Sequence, residues 1–132
     1  MVVGAGLVLG DLTSCSSLPV YKTEIENSTL KVPLSLFTEN TFRIIRPENF
    51  DYDIAVQKQK DGSYNALLLR CTHAANQLTY TGSGYSCNLH GSKFDATGAV
   101  TRGPAEHSLK KFPTRFSKDV VVIFLSESES HR

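Results

Sequence analysis

The sequence predicts an all-β domain, an antiparallel barrel or sandwich, on three observations. Apolar residues recur with period two in short runs, each run is bounded by turn-forming residues, and no segment carries an apolar stripe at helical spacing over three turns. The first run follows Ser28. Leu30, Val32, Leu34 and Leu36 alternate there with Lys31, Pro33 and Ser35, and Pro33, which has no N–H to give a ladder, places the strand at a sheet edge. Further strands are expected at residues 41–45, 53–57, 64–70, 77–81, 85–87, 92–94 and 120–125. Asp61-Gly62 signals a hairpin, and Gly82-Ser83-Gly84 and Thr97-Gly98 mark two more tight connections. Neither a lysine nor a helix pattern follows Gly82-Ser83-Gly84, so it reads as a turn and not as a phosphate cradle.

A chain of 132 residues suits one domain. The expected division is an apolar start and tether over residues 1–27, the folded domain over 28–126, and a frayed Ser- and Glu-rich tail over 127–132. A net charge of +1 provides no field that would gather nucleic acid or an anionic membrane surface, and no apolar run is long enough to span a bilayer. Three cysteines, Cys15, Cys71 and Cys87, are too few for a disulfide framework, which leaves metal or covalent chemistry.

The first of them closes an apolar stretch. Leu12-Thr13-Ser14-Cys15 resembles a bacterial lipobox, in which the cysteine is lipidated, although no Lys or Arg precedes the apolar run and Asp11 interrupts it. The expectation is a bacterial lipoprotein anchored through Cys15, periplasmic or membrane-anchored, with a cytoplasmic location as the alternative, since no Arg-Arg export signal is present in the chain.

The other two cysteines are each followed closely by a histidine. Cys71-Thr72-His73 reads C-x-H; after thirteen intervening residues, Cys87-Asn88-Leu89-His90 reads C-x-x-H. Both pairs come just after a β-rich run, so two thiolates and two imidazoles sit on loops able to converge. Such a set suits either one tetrahedral zinc or a two-iron cluster with cysteines on one iron and histidines on the other.

The flanks, Cys71-Thr72-His73, then the stretch CNLHGSKFD at residues 87–95, then Gly103-Pro104-Ala105, resemble the Rieske family of [2Fe–2S] proteins; the likeness in motifs spans residues 64–112. The resemblance implies a Rieske-like β domain with a small cluster-binding subdomain of loops and short strands. It also implies that Cys71 and Cys87 bind the inner iron, that His73 and His90 bind the outer iron, and that Gly103-Pro104-Ala105 forms a third loop over the cluster. Neutral imidazoles in place of thiolates raise the potential to roughly −150 to +300 mV, against about −400 mV for all-cysteine plant-type ferredoxins. In family members that oxidise quinol, a serine after His-Gly, a tyrosine two residues later and a disulfide between the ligand loops accompany high potential. Ser92 matches the serine, Phe94 replaces the tyrosine, and Asn76 and Leu89 stand where the disulfide cysteines would fall. A potential in the middle or lower middle of the range follows, with Ser92 hydrogen-bonded to the cluster, Leu89 shielding it and Phe94 packed in the core.

His107 reads as a surface residue and His131 carries no role, while Lys93, Arg102, Lys110 and Lys111 form a candidate basic rim for an acidic redox partner. Neither a Ser, His and Asp set nor a pair of catalytic carboxylates stands out. The expected function is one-electron transfer, as a membrane-anchored carrier or as the small subunit of a larger oxidoreductase. A soluble ferredoxin of a dioxygenase system and a zinc-stabilised binding module without redox role are the alternatives.

Overall fold

The computed structural model describes residues 20–125, so Cys15, the lipobox-like stretch, His131 and the tail lie outside the described residues. The described chain is nearly all β. Its central sheet has strand order β1-β3-β4-β5-β10, from Val20–Thr23 (β1), Phe42–Pro47 (β3), Ile54–Lys58 (β4), Tyr64–Leu68 (β5) and Lys111–Phe112 (β10). A three-stranded sheet, β11-β12-β2, is built from Thr114–Ser117, Val120–Phe124 and Thr29–Pro33 (β2). A four-stranded sheet, β6-β7-β8-β9, is built from Thr79–Tyr80, Gly84–Ser86, Lys93–Asp95 and Val100–Arg102. All ladders are antiparallel except β1 beside β3.

Why residues 54–56 and 66–69 read as unbroken apolar runs is explained by the layering. One face of the central sheet gives Ile45, Ile54, Val56, Tyr64, Ala66 and Leu68 to a core shared with Leu30, Val32, Val121 and Ile123 of the three-stranded sheet. The other face gives Phe42, Ile44, Ala55 and Leu67 to a second core that contains Leu78, Tyr85, Phe94, Ala105, Leu109 and both Cys71 and Cys87. Buried on both sides, these strands alternate between two interiors and not between interior and solvent.

Residues 69–110 form an insertion between neighbouring strands. The chain leaves the central sheet after β5 and returns as β10 alongside it, with the Leu68 N–H donating to the Lys110 carbonyl at 2.9 Å. Its four-stranded sheet and loops are therefore one outgrowth rooted on a double-sided layer, and Phe42 of β3 stacks on Tyr80 of β6 at 4.6 Å to seat it.

Several elements differ from expectation. β2 ends at its edge proline, Pro33; Leu34–Phe37 then winds into a 3₁₀ turn, its first N–H bonded to the Asp119 carbonyl, so the period-two pattern there outlasts the strand. Val20–Thr23, expected within the tether, pairs with β3 in the central sheet. Strands β9, β10 and β11 lie outside the expected runs; all are two to four residues long, and β9 and β11 are largely exposed. The turns are as expected. Gly62, Gly82 and Gly98 have φ of +91°, +99° and +91° at the three connections, and Ser63 donates from hydroxyl and N–H to Asp61, holding that carboxyl below its usual range.

Candidate metal centre

Both Cys-His pairs lie at the ends of small hairpins, which explains their spacing. In the first, the Leu78 N–H bonds to the Leu69 carbonyl, Arg70 bridges Gln77, and the Cys71 N–H bonds to the Asn76 carbonyl at 2.9 Å. Cys71 thus occupies the last paired position and His73 sits in the turn beyond. In the second, the Cys87 N–H bonds to the Ser92 carbonyl at 2.8 Å and the Gly91 N–H to the Cys87 carbonyl at 3.0 Å. Gly91 takes φ of +85°, where a side chain would strain the backbone, and His90 lies at the tip.

The donors come as two pairs of opposite character. Cys71 and Cys87 are free thiols, each only 2% exposed and in side-chain hydrogen-bond contact with one another. His73 and His90 are exposed, with ring centroids 4.9 Å apart and planes at 81°. Burial opposes ionisation of Cys71, but the N–H groups of Ala74 and His73 and the side chains of Cys87 and Ser92 outweigh it and hold the thiol below its ordinary pKa. Among the described residues no three His, Cys, Asp or Glu donors are gathered closely enough to hold a single metal ion.

A third loop ties the two hairpins together. Ser92, fully buried, accepts the Ala105 N–H at 2.9 Å while its hydroxyl reaches Cys71. Across the other side, the Thr72 hydroxyl donates to the His107 carbonyl at 2.6 Å. Ala105 is buried; Gly103 and Pro104, joined by a cis peptide, are exposed on the same loop. Phe94 is buried in the second core, whereas Leu89 is 68% exposed at the tip between Cys87 and His90. His107 is exposed.

From the central sheet comes a further support with no local signal in the sequence. Asp53 is gripped by Arg46 through two bonds of 2.9 Å, takes the Leu69 N–H on its carbonyl, and gives its own N–H to Gln77. Next to it, the Tyr52 hydroxyl donates to the Ala75 carbonyl at 3.2 Å. Apart from the Arg46–Asp53 pair, seven positions apart, these contacts, like Thr72 to His107, join residues 16 to 35 positions apart, and only the fold reveals them.

Ser92→Ala removes a hydroxyl that faces the Cys71 sulfur. A hydrogen bond to a charged acceptor contributes about 1.5–3 kcal/mol, and 59 mV corresponds to about 1.4 kcal/mol for one electron, so a fall in potential of roughly 60 mV or more is expected by potentiometric titration. An unchanged potential would show that this hydroxyl does not favour the reduced state.

A double-sided β scaffold carrying a buried thiol pair and an exposed imidazole pair on hairpin tips defines a class: a β domain built for a mixed-ligand metal centre. The chain belongs to the Rieske [2Fe–2S] domain family, whose model matches residues 37–113. The cofactor is accordingly one [2Fe–2S] cluster, and the donor set fits it: two thiols, two imidazoles and N–H groups directed at sulfur. Over 76 residues the chain is 29% identical to the cytochrome b6-f complex iron-sulfur subunit of Chlorobaculum thiosulfatiphilum, an alignment covering 56% of this chain and 42% of that one. The chain thus matches less than half the length of that relative. In fold it is similar to the cyanobacterial plasma membrane Rieske protein PetC3 from Synechocystis PCC 6803, with TM-score 0.57 and 22% identity over 71% of this chain and 97% of that one. It is also similar to a chain in the complex of reduced oxygenase and oxidized ferredoxin in carbazole 1,9a-dioxygenase, with TM-score 0.53 and 23% identity over 77% and 97%.

Proposed function

We propose that the protein is a one-electron carrier in which Cys71 and Cys87 hold the inner iron of the cluster and His73 and His90 the outer iron. The observation that carries this reading is the polarity of the site, with the thiols sealed in the second core and the imidazoles together at the surface. When bound, the cluster supplies a centre that accepts and returns a single electron. The chain's residues do the rest. The buried cysteines fix the centre to the core, and the exposed histidine edge offers a short route to a docked partner. The ring nitrogen that each imidazole does not use for ligation holds a proton that solvent or a partner can take, which links electron to proton transfer.

The likeness to a cytochrome-complex subunit supports a role as the small redox subunit of a larger oxidoreductase, or as a carrier anchored through a lipidated Cys15 beside a membrane. A ferredoxin role is favoured by a specific observation: Asn76 and Leu89 leave the ligand loops joined by hydrogen bonds and not by a disulfide. The same feature and Phe94 support a potential in the middle or lower middle of the family's range.

Electron paramagnetic resonance of the dithionite-reduced protein, followed by potentiometric titration, tests the proposal. A rhombic signal of mixed histidine and cysteine ligation is expected. A colourless, silent sample with stoichiometric zinc and no iron would overturn it in favour of a metal-stapled binding module.

A further inference from the structure

Of the four cations in the candidate basic rim, the fold singles out two. Lys110 lies 5.8 Å from the Phe112 ring and Lys111 belongs to β10 of the central sheet. Lys93 and Arg102 instead face each other across β8 and β9. Like charges directly opposite on a ladder repel, and here the register itself creates the clash. Phe94 pairs with Val100, so an uninterrupted ladder would set Lys93 against Thr101, a neutral residue; a β-bulge shifts the pairing by one and sets it against Arg102. Neither cation is neutralised within the described residues. The one ion pair there is Arg46–Asp53, and Asp95, also on β8, uses its carboxylate on the N–H groups of Thr97 and Ala99.

Position matters as much as charge. Lys93 follows Ser92 at the root of the hairpin that presents His90, and Arg102 precedes Gly103-Pro104 at the root of the third loop, which is bonded to that hairpin through Ala105 and Ser92. Both are exposed, while the next residue on β8, Phe94, points into the core. Leu89, on the same hairpin as Lys93 and next to His90, is exposed and adds apolar surface to that tip.

We infer that the bulge-paired Lys93 and Arg102 form the docking determinant for an acidic surface of a redox protein, which they draw against the histidine edge. This rests on the electron-transfer reading above and adds to it the partner's chemistry and the residues that select it. A protein fits better than an anionic membrane, because a surface that steers onto the electron-exit edge is useful only where an electron acceptor or donor lies beneath the charge. With a net charge of only +1, steering of this kind comes from local charge and not from the whole molecule.

The test uses the cluster-loaded protein and two one-electron oxidants of opposite charge, hexacyanoferrate(III) and tris(phenanthroline)cobalt(III), across a range of ionic strength. The ratio of their rates cancels any change in driving force. K93Q/R102Q is compared with K31Q/K118Q, which removes the same charge from the β2 strand and the turn between β11 and β12. In K93Q/R102Q, the ratio of the hexacyanoferrate to the cobalt rate is expected to fall about tenfold at low salt, and inhibition of the hexacyanoferrate reaction by poly-glutamate should disappear. K31Q/K118Q should keep both properties. Equal ratios in the two variants would overturn the inference, as would binding of the wild type to phosphatidylglycerol vesicles with no response to poly-glutamate. If the wild type exchanged electrons with neither oxidant, the electron-transfer reading would fail and this inference with it, an outcome distinct from equal ratios.

Discussion

His90→Ala is expected to abolish the reduced-state resonance signal and to lower bound iron toward zero while the purified protein keeps its β-rich circular dichroism. His90 is exposed at a hairpin tip closed by backbone bonds of Cys87, Gly91 and Ser92, so truncating its ring removes no core packing. What it removes is one of the two donors that the proposed ligation assigns to the outer iron. His73 should behave in the same way, since its ring meets that of His90 at 4.9 Å and lies beyond the last paired residue of its own hairpin. Retention of an intact cluster with unchanged line shape in His90→Ala would sink the ligand assignment. Loss of the circular dichroism would instead mean that the tip is part of the fold's support.

Leu69→Ala should cost about 2–5 kcal/mol of stability, in common with other large-to-small changes in a closed core. The informative comparison is Ile123→Ala, of similar cost. Leu69 is 1% exposed in the core that contains Cys71 and Cys87, whereas Ile123, fully buried, belongs to the core on the opposite face of the central sheet. Both variants should melt earlier by circular dichroism. Only Leu69→Ala should also hasten loss of cluster absorbance well below its melting transition, because its cavity adjoins the thiols. Equal rates of cluster loss in the two would show that the second core does not hold the centre independently.

The sequence made the strands that carry the insertion legible, because period-two patterning and glycine turns act locally: Asp61-Gly62, Gly82 and Gly98 all fall at connections. The two Cys-His pairs were also visible as motifs, since each spans a single hairpin end. Distant information was not visible. Strand β1 pairs with a segment more than 20 residues away, β10 is only two residues long, β11 exposes most of its residues, and the support from Tyr52, Asp53 and Gln77 depends on side chains that meet only after folding. In the run after Ser28 the periodicity misled, because Leu34 and Leu36 remain partly buried in a 3₁₀ turn just as they would have in a strand.

Holding the ligand loops by Ser92 with Ala105, and Thr72 with His107, has a consequence for where the fold can operate. A covalent bridge between the loops would have a reduction potential of its own and would open or close with the surrounding thiol pool. Hydrogen bonds have none. The clamp built here is indifferent to glutathione and to oxidising enzymes alike, so the same loop geometry serves in a reducing cytoplasm, where iron–sulfur centres would meet free thiols, and in an oxidising envelope compartment.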